Sequence, residues 1–274
     1  MKIFSVHAGR TDFLRYQVES LNYFCKDKFE YYCIDNFVDS SQTDFIKSEC
    51  NDLNVNYVRF DSYQFNGSAL DHAPALNSIK TIANNDELNV VLDFDVFLIS
   101  SFSFVDYIDF YDIAGIYQQR QNFSIEYVVP FVVIVNKNSN FSEINFSSGP
   151  GYDVGGETQH YLKNKKVKFM KHTSSLEFLN DEECFSVPYN IRYGSQIIET
   201  SFLHYYRGTN WNKLNENLVK EKSLWLQQCL TKSKETNILN VKYLNKYQTV
   251  FSHSFCFWNG SNEKFNSILN PYLN

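Results

Sequence analysis

Two acids stand two positions apart within an apolar run, Val90-Val91-Leu92-Asp93-Phe94-Asp95-Val96-Phe97-Leu98-Ile99. Residues two apart on a strand point to one side, so both carboxylates should converge while Phe94 turns into the core. Carboxylate oxygens so arranged suit Mn²⁺ or Mg²⁺, and such a cation could also hold a diphosphate and stabilise a departing nucleotide. The competing reading is a pair of strand-end acids in a loop cap or salt bridge. His204 lies in Ser201-Phe202-Leu203-His204-Tyr205-Tyr206-Arg207-Gly208. A neutral imidazole can complete a carboxylate site and favours Mn²⁺ over Mg²⁺ or Ca²⁺. An ordinary half-buried histidine is the alternative. Arg207, directly before Gly208, carries a planar fork able to reach phosphate.

Three further segments place chemistry-bearing residues near small ones. In His7-Ala8-Gly9-Arg10 the small residues let a ligand approach the backbone, and the helix N-terminus that follows favours anions. The stretch from Asn66 to Asn77, containing Ser68, Asp71 and His72, is a polar loop feeding a helix just ahead of the acid pair. It is placed to line a ribose and its phosphates, or else it is a plain helix cap. In Gly149-Pro150-Gly151-Tyr152-Asp153-Val154-Gly155-Gly156-Glu157, glycines on both sides of an acid imply a tight bend beside a ligand. Asp153 or Glu157 could there accept the proton of an attacking hydroxyl. A surface turn with solvated acids competes with that view.

The elements that must position these residues follow from the pattern. Strands are expected at Ile3 to Val6, Phe29 to Ile34, Asn56 to Phe60 and Val90 to Leu92. Between them, helical spacing covers Asp12 to Cys25, Thr43 to Asp52 and Ala73 to Ala83. Such alternation makes an α/β fold, a mostly parallel sheet with helices on both faces and ligands at the carboxyl ends of its strands. Later, Ile113 to Tyr117 and Pro130 to Val135 read as strands, the second apolar enough for mid-sheet, and Thr158 to Asn164 as a short helix. Lys213 to Leu230 is the longest helical pattern of the second half. No linker divides the chain, so one domain over 1–274 is expected: a nucleotide-binding half (1–100), an acceptor and catalytic half (101–211) and a C-terminal helical extension (212–274).

A formal net charge of −6 gives no electrostatic footprint for nucleic acid or an anionic membrane. The 6 cysteines show no CxxC pair or zinc spacing, and free thiols are expected. The N-terminus turns polar at once, unlike a signal peptide, and the longest apolar run, Tyr127 to Val135, contains Pro130. A membrane span needs ~20 apolar residues. The expectation is therefore a cytoplasmic protein.

Taken in order, these pieces resemble a GT-A-type glycosyltransferase, the single-domain, Rossmann-like class with a DxD motif and a divalent metal. The resemblance spans about residues 1 to 211 and rests on His7 to Arg10, Asp35 after the second strand, Gly67 to Leu76, Asp93-Phe94-Asp95, Asp153 to Gly156 and His204 to Trp211. It implies a nucleotide-sugar donor, with UDP favoured and GDP possible, and a glycan or other hydroxyl acceptor. It implies donor contacts from His7, Ala8, Gly9, Arg10, Asp35, Ser68, His72, Asp93 and Arg207. Asp95 and His204 become direct ligands of Mn²⁺ or Mg²⁺, with Asp93 on ribose, water or metal, and Asp153 or Glu157 becomes base or acceptor contact.

Other classes compete. A nucleotidyltransferase would need a Gly-rich, basic loop directly after the first strand, where this chain offers only Gly9 and Arg10, and the parallel α/β order argues against the usual barrels of a two-carboxylate glycosidase. A haloacid-dehalogenase-type phosphatase would use Asp93 as nucleophile, yet it places that strand near the N-terminus and needs a downstream GDxxxD that this chain lacks. A non-catalytic sugar- or nucleotide-binding protein would keep a pocket without needing the acid pair and His204 together.

Overall fold

The computed structural model describes residues 1–7, 10–36, 40–60, 72–120, 124–173, 195–205, 216–233 and 248–249. Its first part follows the expected alternation. β1 (Lys2–His7), β2 (Glu30–Asp35), β3 (Asn56–Arg59) and β4 (Asn89–Asp93) are joined through α1 (Thr11–Phe24), α2 (Ser40–Asp52) and α3 (His72–Ser78), the last continuing as a 3₁₀ turn at Ile79–Thr81. α1 forms because Phe13, Leu14, Val18, Leu21 and Phe24 recur at helical spacing and are buried, with Asp12 in the first turn where the helix dipole favours an acid. These four strands run parallel in the order β3-β2-β1-β4.

The sheet continues through β7 (Ile125–Val135), β6 (Ile113–Arg120) and β8 (Val167–Phe169). β7 lies mid-sheet as its apolar run implied, but it runs antiparallel to both β4 and β6. Only four residues separate the end of β6 from the start of β7, which forces that reversal, since a parallel partner would need a long crossover. The ladder slips between Gly115 and Ile116, where Gly115 pairs with Val133 but Ile116 with Val129. The skipped residues include Pro130, which has no N–H to give the ladder. α5 (Thr158–Leu162) packs on β7.

Strand alternation sends apolar side chains to both faces. One face buries Ile3, Cys33, Val90, Leu92, Val132 and Ile134 against Leu14, Val18 and Leu21 of α1 and Ile46 of α2. The other buries Phe4, Val6, Ile34, Val91 and Val133 against Ala75, Leu76, Phe141, Phe146 and Tyr161. Both faces are therefore covered, as a mostly parallel sheet requires.

A second sheet is the main departure from the sequence expectation. It has the order β12-β9-β10-β11-β5, from Gln248–Thr249, His172–Thr173, Ser195–Ile198, Phe202–Tyr205 and Val96–Leu98. The apolar stretch around Asp93 and Asp95 thus serves two sheets, β4 in the first and β5 in the second, with a turn at Phe94–Asp95 between them. β10 and β11 are joined through Glu199 and Thr200, both at positive φ (50° and 57°), a left-handed corner that non-glycine residues adopt at a cost. The Glu199 carboxylate steadies it by accepting from the Tyr107 hydroxyl (2.9 Å) and the Lys171 N–H.

The last helix, α6, spans Glu216–Ser233, and residues 213–215 of the expected helix lie outside the described residues. No helix among the described residues is long and apolar enough to cross a membrane.

Candidate metal and donor site

Register places the expected acids along one edge of the first sheet. His7 pairs with Asp35, Asp35 with Arg59, and Val6 with Asp93, so the carboxyl ends of β1 to β4 form one row. Parallel α/β sheets bind ligands at that edge.

The sharpest cluster is Asp93, Asp95 and His204, whose ligand atoms lie within 4.8 Å of one another. The two carboxylates do converge, but through the turn between β4 and β5 and not by alternation along one strand. His204 arrives from the second sheet. The antiparallel ladder pairs it with Val96, and the Tyr205 N–H donates to the Asp95 carbonyl (2.8 Å). That backbone bond sets His204 Nε2 3.3 Å from Asp95 Oδ1. The Phe131 ring, 4.2 Å from the imidazole by centroids, packs against it. Asp95 and His204 are almost fully enclosed, at 4% and 1% exposure, while Asp93 is partly open.

Burial, and then the charge of Asp95, hold the Asp93 carboxyl well above the usual range, with the Phe94 N–H (3.0 Å from Oδ1) acting in opposition. A carboxyl pressed upward by burial and by a neighbouring acid fits a divalent cation, which would relieve both effects at once. Two oxygens and an imidazole nitrogen suit Mn²⁺ among the hard and borderline ions.

Asp35, fully buried, is held by Arg59 (3.0 Å) and by the Tyr57 hydroxyl (2.7 Å). Arg10 grips Asp12 with its guanidinium, lies 3.3 Å from the Ser223 hydroxyl of α6 and covers the Phe13 ring. His72, at the start of α3, has its pKa lowered to about 4 by desolvation, against the opposing charges of Asp95 and Asp153. It therefore stands within electrostatic reach of both acids. Asp153 lies in the glycine loop, where its carboxylate accepts from the Val154 N–H (2.8 Å). Gly155 (φ 94°) ties that loop to the segment after β7, its N–H donating to Phe146 O (2.7 Å), and lies close on β7 itself, where a Cβ would stand 2.5 Å from the Val128 carbonyl oxygen. Glu157 is engaged by the Tyr152 hydroxyl and His160 (3.4 Å). Ala8, Gly9, Ser68 and Arg207 lie outside the described residues.

His7 is fully buried, and its Nε2 meets the Tyr31 hydroxyl at 2.9 Å. Its ring packs between Tyr31 and Phe94. Burial lowers its pKa to about 3. The folded state thus keeps His7 neutral while the unfolded chain takes up a proton near 6.5, so this contribution is complete above pH 6.5 and is lost as the pH falls toward 3. Urea unfolding from pH 8 to 5 should show declining stability, by at most about 1.4 kcal/mol per pH unit for this group. His7→Gln should flatten the profile over that range; an unaltered slope would rule out the assignment.

Sequence reasoning missed Gln17 and Tyr31, which sit under the acid pair. Gln17 lies three residues after Leu14 and four before Leu21, on the buried stripe of α1. A lone amide on an apolar stripe was the available signal.

Fold and site together define a Rossmann-like α/β chain with a carboxylate–histidine cation cluster at the carboxyl edge of its sheet. No protein-family model and no curated protein matches the chain. Among solved structures it is similar to the mannosyltransferase PcManGT from Pyrobaculum calidifontis in complex with GDP-Man and Mn²⁺, at 13% identity and TM-score 0.44, covering 61% of this chain and 53% of that one. The galactosyltransferase LgtC, in complex with donor and acceptor sugar analogs, follows at 12% identity and TM-score 0.43, over 61% and 72%. A putative glucose-1-phosphate thymidylyltransferase from Bacillus anthracis shares 14% identity at TM-score 0.39, over 61% and 85%. The chain therefore spans about half the length of the mannosyltransferase.

Proposed function

We propose that the chain is a metal-dependent glycosyltransferase of the GT-A type, moving a sugar from a nucleoside-diphosphate donor, UDP-linked by preference, to a hydroxyl of a glycan or other acceptor. The observation that carries this reading is the meeting of Asp93, Asp95 and His204 at the carboxyl edge of the sheet. Mn²⁺ or Mg²⁺ held there would supply positive charge to the departing diphosphate.

The chain's own residues divide the remaining work. Asp95 and His204 are the enclosed ligands, and the partly open Asp93 faces cation or ribose. Asp35, tied to Tyr57 and Arg59, bounds the nucleoside end of the row. Asp153 is the better candidate for base or acceptor contact, because His72 feels its charge together with that of Asp95. Glu157 is committed to Tyr152 and His160. An acceptor hydroxyl would lose its proton to Asp153 as its oxygen bonds to the anomeric carbon and the bond from that carbon to the diphosphate oxygen breaks, the nucleoside diphosphate leaving with the electron pair.

A thermal-shift panel of UDP-, GDP-, CDP- and dTDP-sugars, each with and without Mn²⁺, tests this reading. A donor that binds only the native state must raise the melting temperature. One nucleotide class is expected to do so, and only with Mn²⁺ present. A flat response across all four classes would count decisively against the assignment.

A further inference from the structure

We propose that Gln17 is a positioning residue for the acid pair, clamping the Asp93–Val96 turn from beneath, with Tyr31 and His7 holding the clamp in its working orientation. This rests on the cation site proposed above.

The Gln17 side chain spans the turn. Its Nε2 donates to the Asp93 carbonyl (2.8 Å) and to the Val96 carbonyl (2.7 Å), the last residue of β4 and the first of β5. An atom facing two carbonyl oxygens must be the amide nitrogen, since only the NH₂ group has two protons to give. Oε1 is then the acceptor, and the Tyr31 hydroxyl donates to it. The Tyr31 oxygen can in turn accept from His7 Nε2, which fixes that ring as the Nε2–H tautomer. All three side chains are buried, at 0%, 3% and 0% exposure. Each hydrogen bond constrains the next, so the amide cannot flip without facing its oxygen toward two carbonyls.

The position of the clamp gives it a consequence beyond packing. The turn it bridges is the point where the chain leaves the first sheet for the second, and it carries both carboxylates. Phe94–Asp95 contains no glycine or proline to preset its shape. The separation of the two acids therefore depends on bonds from outside the turn. Buried groups that orient ligands act on affinity as much as on stability.

The experiment compares wild type with Gln17→Met, Gln17→Glu and Tyr31→Phe, and with Ile46→Ala as a control that weakens the α2 side of the core without touching the turn. Two quantities are read: the dissociation constant for Mn²⁺ alone, by electron paramagnetic resonance of free ion, and hydrogen exchange of the peptide covering the turn. Gln17→Met is expected to weaken Mn²⁺ binding by about tenfold or more and to speed exchange at the turn, with Tyr31→Phe intermediate. Gln17→Glu, isosteric but unable to donate twice, should resemble Gln17→Met. Ile46→Ala should lower the melting temperature while leaving Mn²⁺ affinity within about twofold. Wild-type Mn²⁺ affinity in folded Gln17→Met, or a loss matched by Ile46→Ala, overturns the proposal. If Gln17→Glu fails to fold, Gln17→Met and Tyr31→Phe still decide. If wild type binds no Mn²⁺, the cation reading falls by itself, and faster exchange in Gln17→Met still identifies the clamp, whereas unchanged exchange removes it.

Discussion

Asp95→Ala is expected to lower Mn²⁺-dependent hydrolysis of the nucleotide-sugar donor by about 10³-fold or more, while the protein stays folded. The reason lies in how the site is built. Asp95 reaches His204 through its side chain, but its place in the second sheet is fixed by its carbonyl, which accepts from the Tyr205 N–H. Alanine keeps that backbone bond and removes only the carboxylate. It also removes the neighbouring charge that helps push the Asp93 carboxyl upward, so the metal-free protein should be little destabilised. Asp95→Asn preserves the shape without the charge and should behave similarly in the assay. Circular dichroism and a melting curve would establish folding; hydrolysis would be followed as released nucleotide, with and without chelator. Wild-type turnover in either variant, or turnover that chelator does not touch, would end the metal-assisted reading.

Gly155→Ala is expected to cost about 3 kcal/mol of stability and to suppress transfer to acceptor more strongly than it suppresses Mn²⁺ binding. At φ 94° an L-residue is strained whatever room it has, and here there is none: the new Cβ would press on the Val128 carbonyl oxygen, which belongs to the β7 backbone. The neighbour cannot rotate away, so the loop must lift. Asp153, two residues before it, would move with it, while Asp93, Asp95 and His204 sit on other elements. Denaturant unfolding gives the first quantity, and the ratio of acceptor transfer to Mn²⁺ affinity gives the second. A variant as stable and as active as wild type would show that the loop does not depend on this contact.

The sequence and the structure agree best where signals are local. The alternation up to β4 was readable because each apolar run there is bounded by polar segments at the right period. The carboxylate pair was readable as well, although its route to convergence was not: the apolar residues on both sides of Asp93-Phe94-Asp95 look like one strand, and a turn without glycine or proline leaves no mark. The antiparallel pairing of β7 with β4 joins strands distant in sequence, which no local pattern records. The second sheet is built from strands of two to four residues, too short for periodicity to register. His204 was therefore visible as a residue type but not as a neighbour of Asp95. His7, one of the expected donor contacts in the opening turn, has a fully buried ring, which its place at a strand end did not announce.

The turn between β4 and β5 has one more implication. Asp95 is tied to β11 twice, by the Tyr205 N–H at its carbonyl and by the His204 ring at its carboxylate, so it travels with the second sheet. Asp93 is moored to the first sheet through β4. The geometry of the three ligands thus reduces to a single mechanical coordinate, the offset between two slabs of backbone at one seam. Substitutions along β10, which contributes no ligand to the cluster, would tune that offset as a vernier does.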